Sequence, residues 1–509
     1  MSASFMEKQH EVEDTIEYNN KIEGWGMKIN KIVLVLPNYY WCTSEFWHVH
    51  PINLCLLAGV LKDEYEVEII DANLENLSED ELAERIRVSA PDLLGITSFA
   101  NQFAPASHAV ARIGKEVFPE MPVVMGGVYV TTTPEAAIKD THVDYLVIGE
   151  GERTFLRLIK FLEGKEDFPA KGIGYRDSSG NPKLIRLTEY IEDLDSLPFP
   201  DYSKIDYPQY TTNSFKNVFD SPRAFPYARM ITSRGCPNNC SFCAVHFING
   251  RKTRFQSAER VLAEIDWLVT TYGIKAIEFN DDHLLQSRER IDKILKAMIA
   301  RKYNIVWNAM DVMVRSLSED LLELMWESGC RYISFPFESG NERVIKKIIG
   351  KPMDFEHGVR MVEKAKELGM DTTADFIIGN PGETYNEIMD TINFAESLDV
   401  DYVKINVATP YPNTRLFQDA VRLEAFPEGY QAEKMIWGSS RLQTEHFDPC
   451  AMAIVRAFEW DRINHKTEAK RKKLADRMLI SVEQLDQIRK KTREEAIQFV
   501  SQYRSGTIQ

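Results

Sequence analysis

Three cysteines in one short loop are the most reactive feature of this 509-residue sequence. Cys236, Cys240 and Cys243 lie in the run Ser-Arg-Gly-Cys-Pro-Asn-Asn-Cys-Ser-Phe-Cys, with no fourth cysteine nearby. Iron–sulfur clusters usually take four thiolates, so three predict a cubane cluster with one iron left open to another ligand. The alternative is a zinc site, because His246 follows at a spacing that completes a set of three cysteines and one histidine.

The spacing C-x3-C-x2-C, with Phe242 just before the third cysteine, resembles the signature of the radical S-adenosylmethionine (SAM) superfamily. This resemblance implies a 4Fe-4S cluster on the three cysteines, with SAM chelated on the open iron and Phe242 near its adenine. One electron, from a donor such as flavodoxin or ferredoxin, would then split SAM and release a 5'-deoxyadenosyl radical.

Apolar runs of strand length alternate with amphipathic segments of helix length after the cysteines, which is typical of βα units with a parallel sheet. The predicted strands are residues 229–233, 276–280, 305–310, 332–337, 373–378 and 402–408. Together they predict an α/β fold, a partial (β/α)6 barrel of the TIM type. In such barrels the chemistry collects at the carboxyl ends of the strands.

Polar residues and glycine follow three of those strand ends, and they are Asp281, Asp282, Glu338, Ser339 and Gly379. By the resemblance, Asp281 or Asp282 would bind the SAM ammonium, Glu338 or Ser339 the ribose, and the loop at Gly379 the adenine. Carboxylates at strand ends are also common N-caps of helices, so a structural role stays open for each. The sequence names no general base.

The N-terminal third predicts a second, doubly wound (Rossmann-like) sheet, with short buried strands at 31–36, 66–71, 93–98, 123–127 and 145–148. Ligands of such sheets bind outside the carboxyl ends of the strands. Small, polar and glycine residues collect there and let a ligand approach the backbone. These residues are Ser98, Gly126, Gly127, Val128, Gly149, Gly151 and Glu152. No G-x-G-x-x-G opens the first helix, which argues against a dinucleotide.

Such a domain directly before a radical SAM core is similar to the cobalamin-binding domain of the cobalamin-dependent radical SAM enzymes. The likeness covers residues 30–425 and includes Val-Met-Gly-Gly at 124–127, Gly-Glu-Gly-Glu-Arg-Thr-Phe at 149–155 and Leu-Pro-Phe-Pro-Asp-Tyr at 197–202. By analogy, Ser98 and the loops at Gly126 and Gly149 would surround the nucleotide tail of the cobalamin. The D-x-H-x-x-G motif that gives many such domains a cobalt-binding histidine is missing, which leaves His48 and His50 as candidate lower ligands.

Five segments are predicted along the chain. They are an acidic N-terminal extension (1–28), a cobalamin-binding domain (29–165), a connector with a hairpin (166–222), a radical SAM core (223–425) and a helical C-terminal region (426–509). With 61 basic and 77 acidic residues the net charge is -16, which argues against a nucleic-acid partner.

The sequence also predicts a cytoplasmic protein. No signal peptide opens the chain, no apolar stretch is long enough to span a bilayer, and the seven cysteines form no disulfide framework. Peripheral membrane contact stays open.

These features predict an enzyme that moves a methyl group from SAM, through methylcobalamin, to an unactivated carbon or a phosphinate of a small molecule. A cyclase or rearrangement enzyme with the same cofactors is the main alternative. A methylthiotransferase would need three N-terminal cysteines for a second cluster, and only Cys42 and Cys55 precede the motif. A non-enzymatic cobalamin or metal sensor, with a structural cysteine loop, is an alternative from a different class.

Overall fold

The computed structural model of this protein describes residues 26–43, 50–186, 190–211, 222, 224–430 and 441–507. Most of the predicted extension at 1–28 and the candidate ligand His48 lie outside the described residues. The chain divides into two compact units, of which the first reaches Tyr210 and includes residues 247–250, and the second holds the remaining described residues.

The first unit is built on a seven-stranded sheet with the order β2-β1-β3-β4-β5-β6-β7. Its strands are β1 (Lys31–Leu36), β2 (Glu66–Asp71), β3 (Leu93–Thr97), β4 (Val123–Gly126), β5 (Tyr145–Val147), β6 (Ile173–Arg176) and β7 (Pro182–Ile185). The first five are parallel, as the sequence predicts. β6 and β7 are antiparallel, and β6 pairs with β5. The predicted connector hairpin therefore extends the five-stranded sheet, because it satisfies the backbone groups that β5 would expose as an edge strand.

Helices connect these strands and cover the sheet. They are α1 (Ile52–Leu61), α2 (Glu79–Ser89), α3 (Ala104–Val117), α4 (Val128–Thr132), α5 (Pro134–Ala137), α6 (Gly151–Leu162) and α7 (Tyr207–Thr211). Helix α2 begins at a capping box between Ser78 and Glu81. Helix α6 begins at Gly151, so Gly151 and Glu152 lie in its first turn and not in the preceding loop.

The second unit contains a six-stranded parallel sheet with the order β15-β14-β13-β12-β11-β8. Its strands are β8 (Tyr227–Met230), β11 (Ala276–Phe279), β12 (Val306–Ala309), β13 (Cys330–Glu338), β14 (Asp371–Ile378) and β15 (Tyr402–Val407), and a separate antiparallel pair is formed by β9 (Ser233–Arg234) and β10 (Arg254–Phe255). Neighbours in space follow the order of the chain, which is the arrangement of a partial barrel. The predicted first strand at 229–233 is wrong at its end, because the chain leaves the sheet after Met230.

The helices of this unit complete the βα repeats and extend beyond them. They are α8 (Val245–Ile248), of which residues 247 and 248 are counted with the first unit, α9 (Ala258–Tyr272), α10 (Arg288–Arg301), α11 (Glu319–Glu327), α12 (Phe355–Glu367), α13 (Tyr385–Ser397), α14 (Arg415–Arg422), α15 (Pro449–Asn464), α16 (Glu468–Arg477) and α17 (Val482–Arg504). A π-helical turn spans Val344–Ile349. None of the described helices is both long and apolar enough to cross a membrane.

The C-terminal helices pack on two parts of the barrel. The Asn464 side chain in α15 hydrogen-bonds to both the N–H and the carbonyl oxygen of Val403, each at 2.8 Å. It thereby pairs two backbone groups that the edge strand β15 would otherwise leave open. Leu474 and Met478 of α16 pack against Tyr332 near the start of β13. Helix α16 therefore lies at the strand-start end of the barrel, opposite the loops that follow the strands.

Candidate functional site

The loop with the three cysteines follows β8, and two carboxylates after the neighbouring strand β11 hold its beginning. Asp281 Oδ1 accepts hydrogen bonds from the Thr232 N–H (3.1 Å), the Thr232 hydroxyl (2.8 Å) and the Ser233 hydroxyl (2.6 Å). Asp282 accepts a hydrogen bond from the Gly235 N–H at 2.7 Å. Asp281 and Asp282, of which one or the other was predicted to bind the SAM ammonium, therefore both hold the cysteine loop in position.

One oxygen of Asp281 has no partner. Its Oδ2 atom is buried and forms no hydrogen bond with any described residue. Burial raises the pKa of Asp281 to about 6, although the Ser233 and Thr232 hydrogen bonds act to lower it. A buried acceptor without a donor is unfavourable, so this atom suits a donor group supplied by a ligand.

The three thiols are half-buried and free of disulfides. Burial raises the pKa of Cys240 to about 12 and that of Cys243 to about 11, so metal ions bound there would displace protons. His246 donates from Nε2 to the carbonyl oxygen of Asn238. Among the described residues, no three His, Cys, Asp or Glu side chains converge closely enough to hold one metal ion. The zinc alternative needs a ring nitrogen of His246 as its fourth ligand, and Nε2 is engaged with the Asn238 carbonyl oxygen.

A π-helical turn covers the cysteine loop on one side. Its apolar residues Val344, Ile345, Ile348 and Ile349 pack against Cys240 and Phe242. The backbone joins them, because the Ser241 N–H donates to the Ile349 carbonyl oxygen at 2.8 Å, and the Leu416 N–H of α14 donates to the Ser241 carbonyl oxygen at 2.8 Å. The loop is thus held from both sides, and Phe242 lies in an apolar wall.

A buried ion pair lies at the end of β13, next to Cys240. Lys351 Nζ donates to Glu338 at 2.7 Å and to the Pro336 carbonyl oxygen at 2.6 Å, and the two charged side chains are only 4% and 8% exposed. Burial acts to lower the pKa of Lys351, but the Glu338 carboxylate, helped by Cys240 in its thiolate form, outweighs burial and raises the pKa. Sequence analysis missed Lys351, for which the only signal is a charged residue inside the run Ile-Ile-Gly-Lys-Pro-Met at 348–353.

Ser339, the neighbour of Glu338, is engaged within the protein. Its buried hydroxyl hydrogen-bonds to the Thr391 hydroxyl of α13 at 2.8 Å and accepts from the Asn341 N–H at 3.1 Å. Of the two residues predicted to bind a ribose, Glu338 lies beside the cysteine loop and Ser339 ties the strand end to a helix.

Polar side chains also line the barrel interior deeper along the strands. The Ser334 hydroxyl donates to Asp375 and, at 3.2 Å, to Asp311, while Lys404 Nζ lies 3.7 Å from Asp375. Burial raises the pKa of Asp375 to about 7 despite the nearby Lys404 charge. These residues were also missed from sequence, although Asp375 interrupts the apolar run of β14.

The loop after β14 begins at Gly379, which has a φ of +78°. A Cβ atom there would lie 3.0 Å from Met452 Sδ. Glu383 accepts from the Asn380 N–H at 2.8 Å, and burial raises the pKa of Glu383 to about 7. Glu383 Oε1 and Asn380 Oδ1 are buried and have no partner among the described residues, so this loop also offers polar atoms to a ligand.

In the first unit, the loops after β3, β4 and β5 interlock. The Ser98 N–H donates to the Gly126 carbonyl oxygen at 2.8 Å, and the Gly149 N–H donates to the Thr131 hydroxyl at 2.9 Å. Gly127 has a φ of +102°, and a Cβ atom there would lie 2.6 Å from the Ser98 carbonyl oxygen. The structure thus brings together four of the predicted residues, Ser98, Gly126, Gly127 and Gly149. Of the other predicted residues, Val128 begins α4 and Glu152 is buried in α6.

The Ser98 side chain faces the interior. It is fully buried, and its hydroxyl accepts a hydrogen bond from Ser107 of α3 at 2.9 Å. Only the backbone of Ser98 is therefore placed to line a ligand site at this loop.

The direction of winding changes between β1 and β3, which is where ligands of doubly wound sheets bind. Tyr40 and Phe99 follow these two strands, and their aromatic side chains are 40% and 43% exposed. His50 is 1% exposed and lies against the rings of Tyr207 and Tyr210, with ring centroids 5.6 and 5.2 Å away. These contacts make His50 a core residue.

The chain matches two protein-family models, the radical SAM superfamily over residues 230–395 and the B12 binding domain over residues 47–159. It is 34% identical over 399 residues to a protein of Pyrococcus horikoshii named uncharacterized methyltransferase PH0819, covering 78% of this chain and 84% of that protein.

Two further relatives differ in their named activities. Cytidylyl-2-hydroxyethylphosphonate methyltransferase of Streptomyces wedmorensis is 27% identical, with 78% of this chain and 82% of that protein covered. Anaerobic magnesium-protoporphyrin IX monomethyl ester cyclase of Rubrivivax gelatinosus is 26% identical, with 76% and 70% covered.

The fold is also found among solved structures. The radical SAM methyltransferase TsrM from Kitasatospora setae, with cobalamin and a [4Fe-4S] cluster bound, has a TM-score of 0.64 and 19% identity over 78% of this chain and 76% of that chain. At this identity the likeness shows a common fold.

Proposed function

Because this chain belongs to the cobalamin-dependent radical SAM enzymes, we propose that it is a methyltransferase that moves a methyl group from SAM, by way of cobalamin, to a small molecule. The acceptor is an unactivated carbon or a phosphinate phosphorus, the atoms for which this cofactor pair is suited. The observation that carries the proposal is the 34% identity to the Pyrococcus horikoshii methyltransferase over most of both chains.

The enzyme uses a 4Fe-4S cluster, SAM and cobalamin, as the two family matches imply. We assign the cluster to Cys236, Cys240 and Cys243, whose free, half-buried thiols fit it. When bound, the cluster and SAM supply a radical and cobalamin supplies the methyl group, while the protein orients the reactants.

The described residues fit SAM at several points. The unpartnered Oδ2 atom of Asp281 would accept a hydrogen bond from the ammonium group of SAM. The buried Lys351 ammonium beside Cys240 is neutralised by Glu338 at 2.7 Å, so this ion pair adds no net charge there. Asn380 and Glu383 offer unpartnered acceptors, with Gly379 letting the backbone turn, for the exocyclic amino group of the adenine.

The interior polar residues Ser334, Asp375 and Lys404 would orient hydroxyl groups of SAM or of the substrate. In the first unit, the close backbone approach at Gly127 and the exposed rings of Tyr40 and Phe99 fit the tail and the broad face of cobalamin. The substrate is a small molecule, and the reductant is a one-electron donor.

The second candidate is a cyclase or rearrangement enzyme that uses the same cofactors without methyl transfer. It is favoured by the 26% identity to the Rubrivivax gelatinosus cyclase over 76% of this chain.

Labelled SAM separates the two candidates. The full chain, reconstituted anaerobically with iron, sulfide and cobalamin, is given a reductant and SAM that carries a labelled S-methyl group. A methyltransferase transfers label to the bound cobalt. Release of 5'-deoxyadenosine with unlabelled cobalamin would contradict methyl transfer and favour the second candidate.

A further inference from the structure

The cysteine loop reaches the protein surface between its first two cysteines. Pro237 and Asn239 are exposed, while Cys236 and Cys240 on either side are half-buried. A molecule that touches Asn239 is therefore separated from two of the assigned cluster ligands by no more than two residues of chain. Electron transfer weakens steeply with distance, so this surface is the natural entry point for an electron.

Basic side chains lie on the cysteine loop's own continuation and on the segments that contact it, and we call Arg251, Lys346, Lys347 and Arg415 the basic rim. Arg251 donates to Asn239 Oδ1 at 3.0 Å. Arg415 donates to the carbonyl oxygens of Ile348 (2.9 Å) and Ile349 (2.6 Å). Its guanidinium and the Asn239 carbonyl oxygen both lie next to Gly350, at 2.7 and 3.3 Å from the position of a Cβ atom there.

Lys346 and Lys347 extend the rim along the π-helical turn. They occupy its exposed face, whereas its buried face packs against Cys240 and Phe242. Lys346 pairs with Glu342 at 2.7 Å in an exposed ion pair. Neither Lys347 nor Arg251 forms an ion pair with any described carboxylate, so the rim keeps a net positive charge.

The sign of this charge is opposite to that of the whole chain, whose net charge is -16. Arg251 and Arg415 hydrogen-bond within the protein, whereas the exposed ion pair of Lys346 with Glu342 contributes little to stability. Complementary charge does speed protein encounters and selects their orientation. On an acidic protein, an acidic partner would be repelled by most of the surface and attracted to the rim.

We propose that the basic rim is the docking surface for a small acidic protein that carries a low-potential one-electron group and reduces the cluster. The proposal rests on the proposed cluster at the three cysteines. Complexes for electron transfer are small and transient, and charge supplies much of their specificity. The rim delivers such a partner to the exposed part of the cluster loop.

The test compares two charge reversals that change the net charge equally. Lys347→Glu lies in the rim, and Lys472→Glu lies on α16, at the opposite end of the barrel, where Lys472 is also exposed and without an ion pair among the described residues. For each anaerobically reconstituted full-length variant, the rate of cluster reduction by reduced acidic flavodoxin is divided by the rate with photoreduced deazaflavin, a small reductant. The dissociation constant for oxidised flavodoxin is measured as well.

At low ionic strength, Lys347→Glu is expected to lower the rate ratio and to weaken flavodoxin binding, each by roughly ten-fold, and high salt should remove both effects. Lys472→Glu should match the wild type within about two-fold. Damage to the cluster would lower both rates and leave their ratio unchanged. The proposal is overturned if Lys347→Glu leaves either the ratio or the binding at the wild-type value at low salt.

This test is separate from that of methyl transfer. If flavodoxin docking follows the rim but cobalt never acquires label, the docking surface stands and the methyltransferase proposal fails. If label appears on cobalt but the rate ratio does not respond to Lys347→Glu, the methyltransferase proposal stands and the docking surface fails.

Discussion

Removal of the Lys351 ammonium tests how much the ion pair at the end of β13 contributes to the free energy of unfolding. In Lys351→Met, Glu338 loses its cation while it remains only 8% exposed. Breaking a buried pair from one side costs about 3–5 kcal/mol, because the remaining charge is left without compensation. With a urea dependence of about 2 kcal/mol per M, this corresponds to a midpoint lowered by about 2 M.

The exposed pair between Lys346 and Glu342 provides the matched control. Its side chains are 60% and 71% exposed, at the same donor–acceptor distance of 2.7 Å as the buried pair. Solvent screens such pairs, so Lys346→Met should cost about 0.5 kcal/mol or less. The two lysines lie near each other in sequence and differ mainly in burial.

The assay must report on the barrel alone, because a chain with more than one domain does not unfold in a single transition. Hydrogen exchange at increasing urea, followed by mass spectrometry of peptides that cover β13, gives the local midpoint in cluster-free protein. Glu338→Gln/Lys351→Met should be more stable than Lys351→Met, since no buried charge remains. If the local urea midpoint of Lys351→Met falls no further below the wild-type value than that of Lys346→Met, this reasoning is refuted.

Three further predictions concern other parts of the protein. Gly127→Ala should destabilise the loops after β3 and β4 by about 1–3 kcal/mol and weaken cobalamin binding in titrations, whereas Gly180→Ala, also at positive φ but with no atom within 4 Å of the added Cβ, should leave cobalamin binding unchanged. Cys240→Ala should lose bound iron and sulfide after reconstitution, and Cys330→Ala, which removes a fully buried thiol elsewhere, should retain both; equal iron content would contradict the cluster assignment. The pKa of Asp375 is raised to about 7 in the folded protein, so the stability contributed by its neutral form is present below pH of about 4 and lost as pH rises through 7. The melting temperature of Asp375→Asn should therefore rise relative to that of the wild type between pH 5 and pH 8. A difference in melting temperature that does not change with pH would count against the shifted pKa.

Much of the architecture is legible in the sequence because it depends on local patterns. The starts and ends of β1 and β2 match the prediction. In β1 a continuous apolar run marks a buried strand, and in the edge strand β2 the apolar residues begin in alternation with glutamates. A hairpin in the connector was predicted as well, and β6 and β7 form it, but its pairing with β5 was not predicted. Pairing of distant segments depends on which edge is left open, and no local pattern encodes that.

The sequence by itself determined the chemistry that can occur here, because Cys236, Cys240 and Cys243 are recognisable by spacing alone. Only the tertiary structure decided which side chains stand beside them. Lys351 and Asp375 are single charged residues among apolar neighbours in the sequence. The pKa of Asp375 is raised because the fold buries it, whereas that of Lys351 is raised because the fold places it against Glu338. Burial and charge proximity arise from the packed fold, so the environment of the site could not be read from the order of its residues.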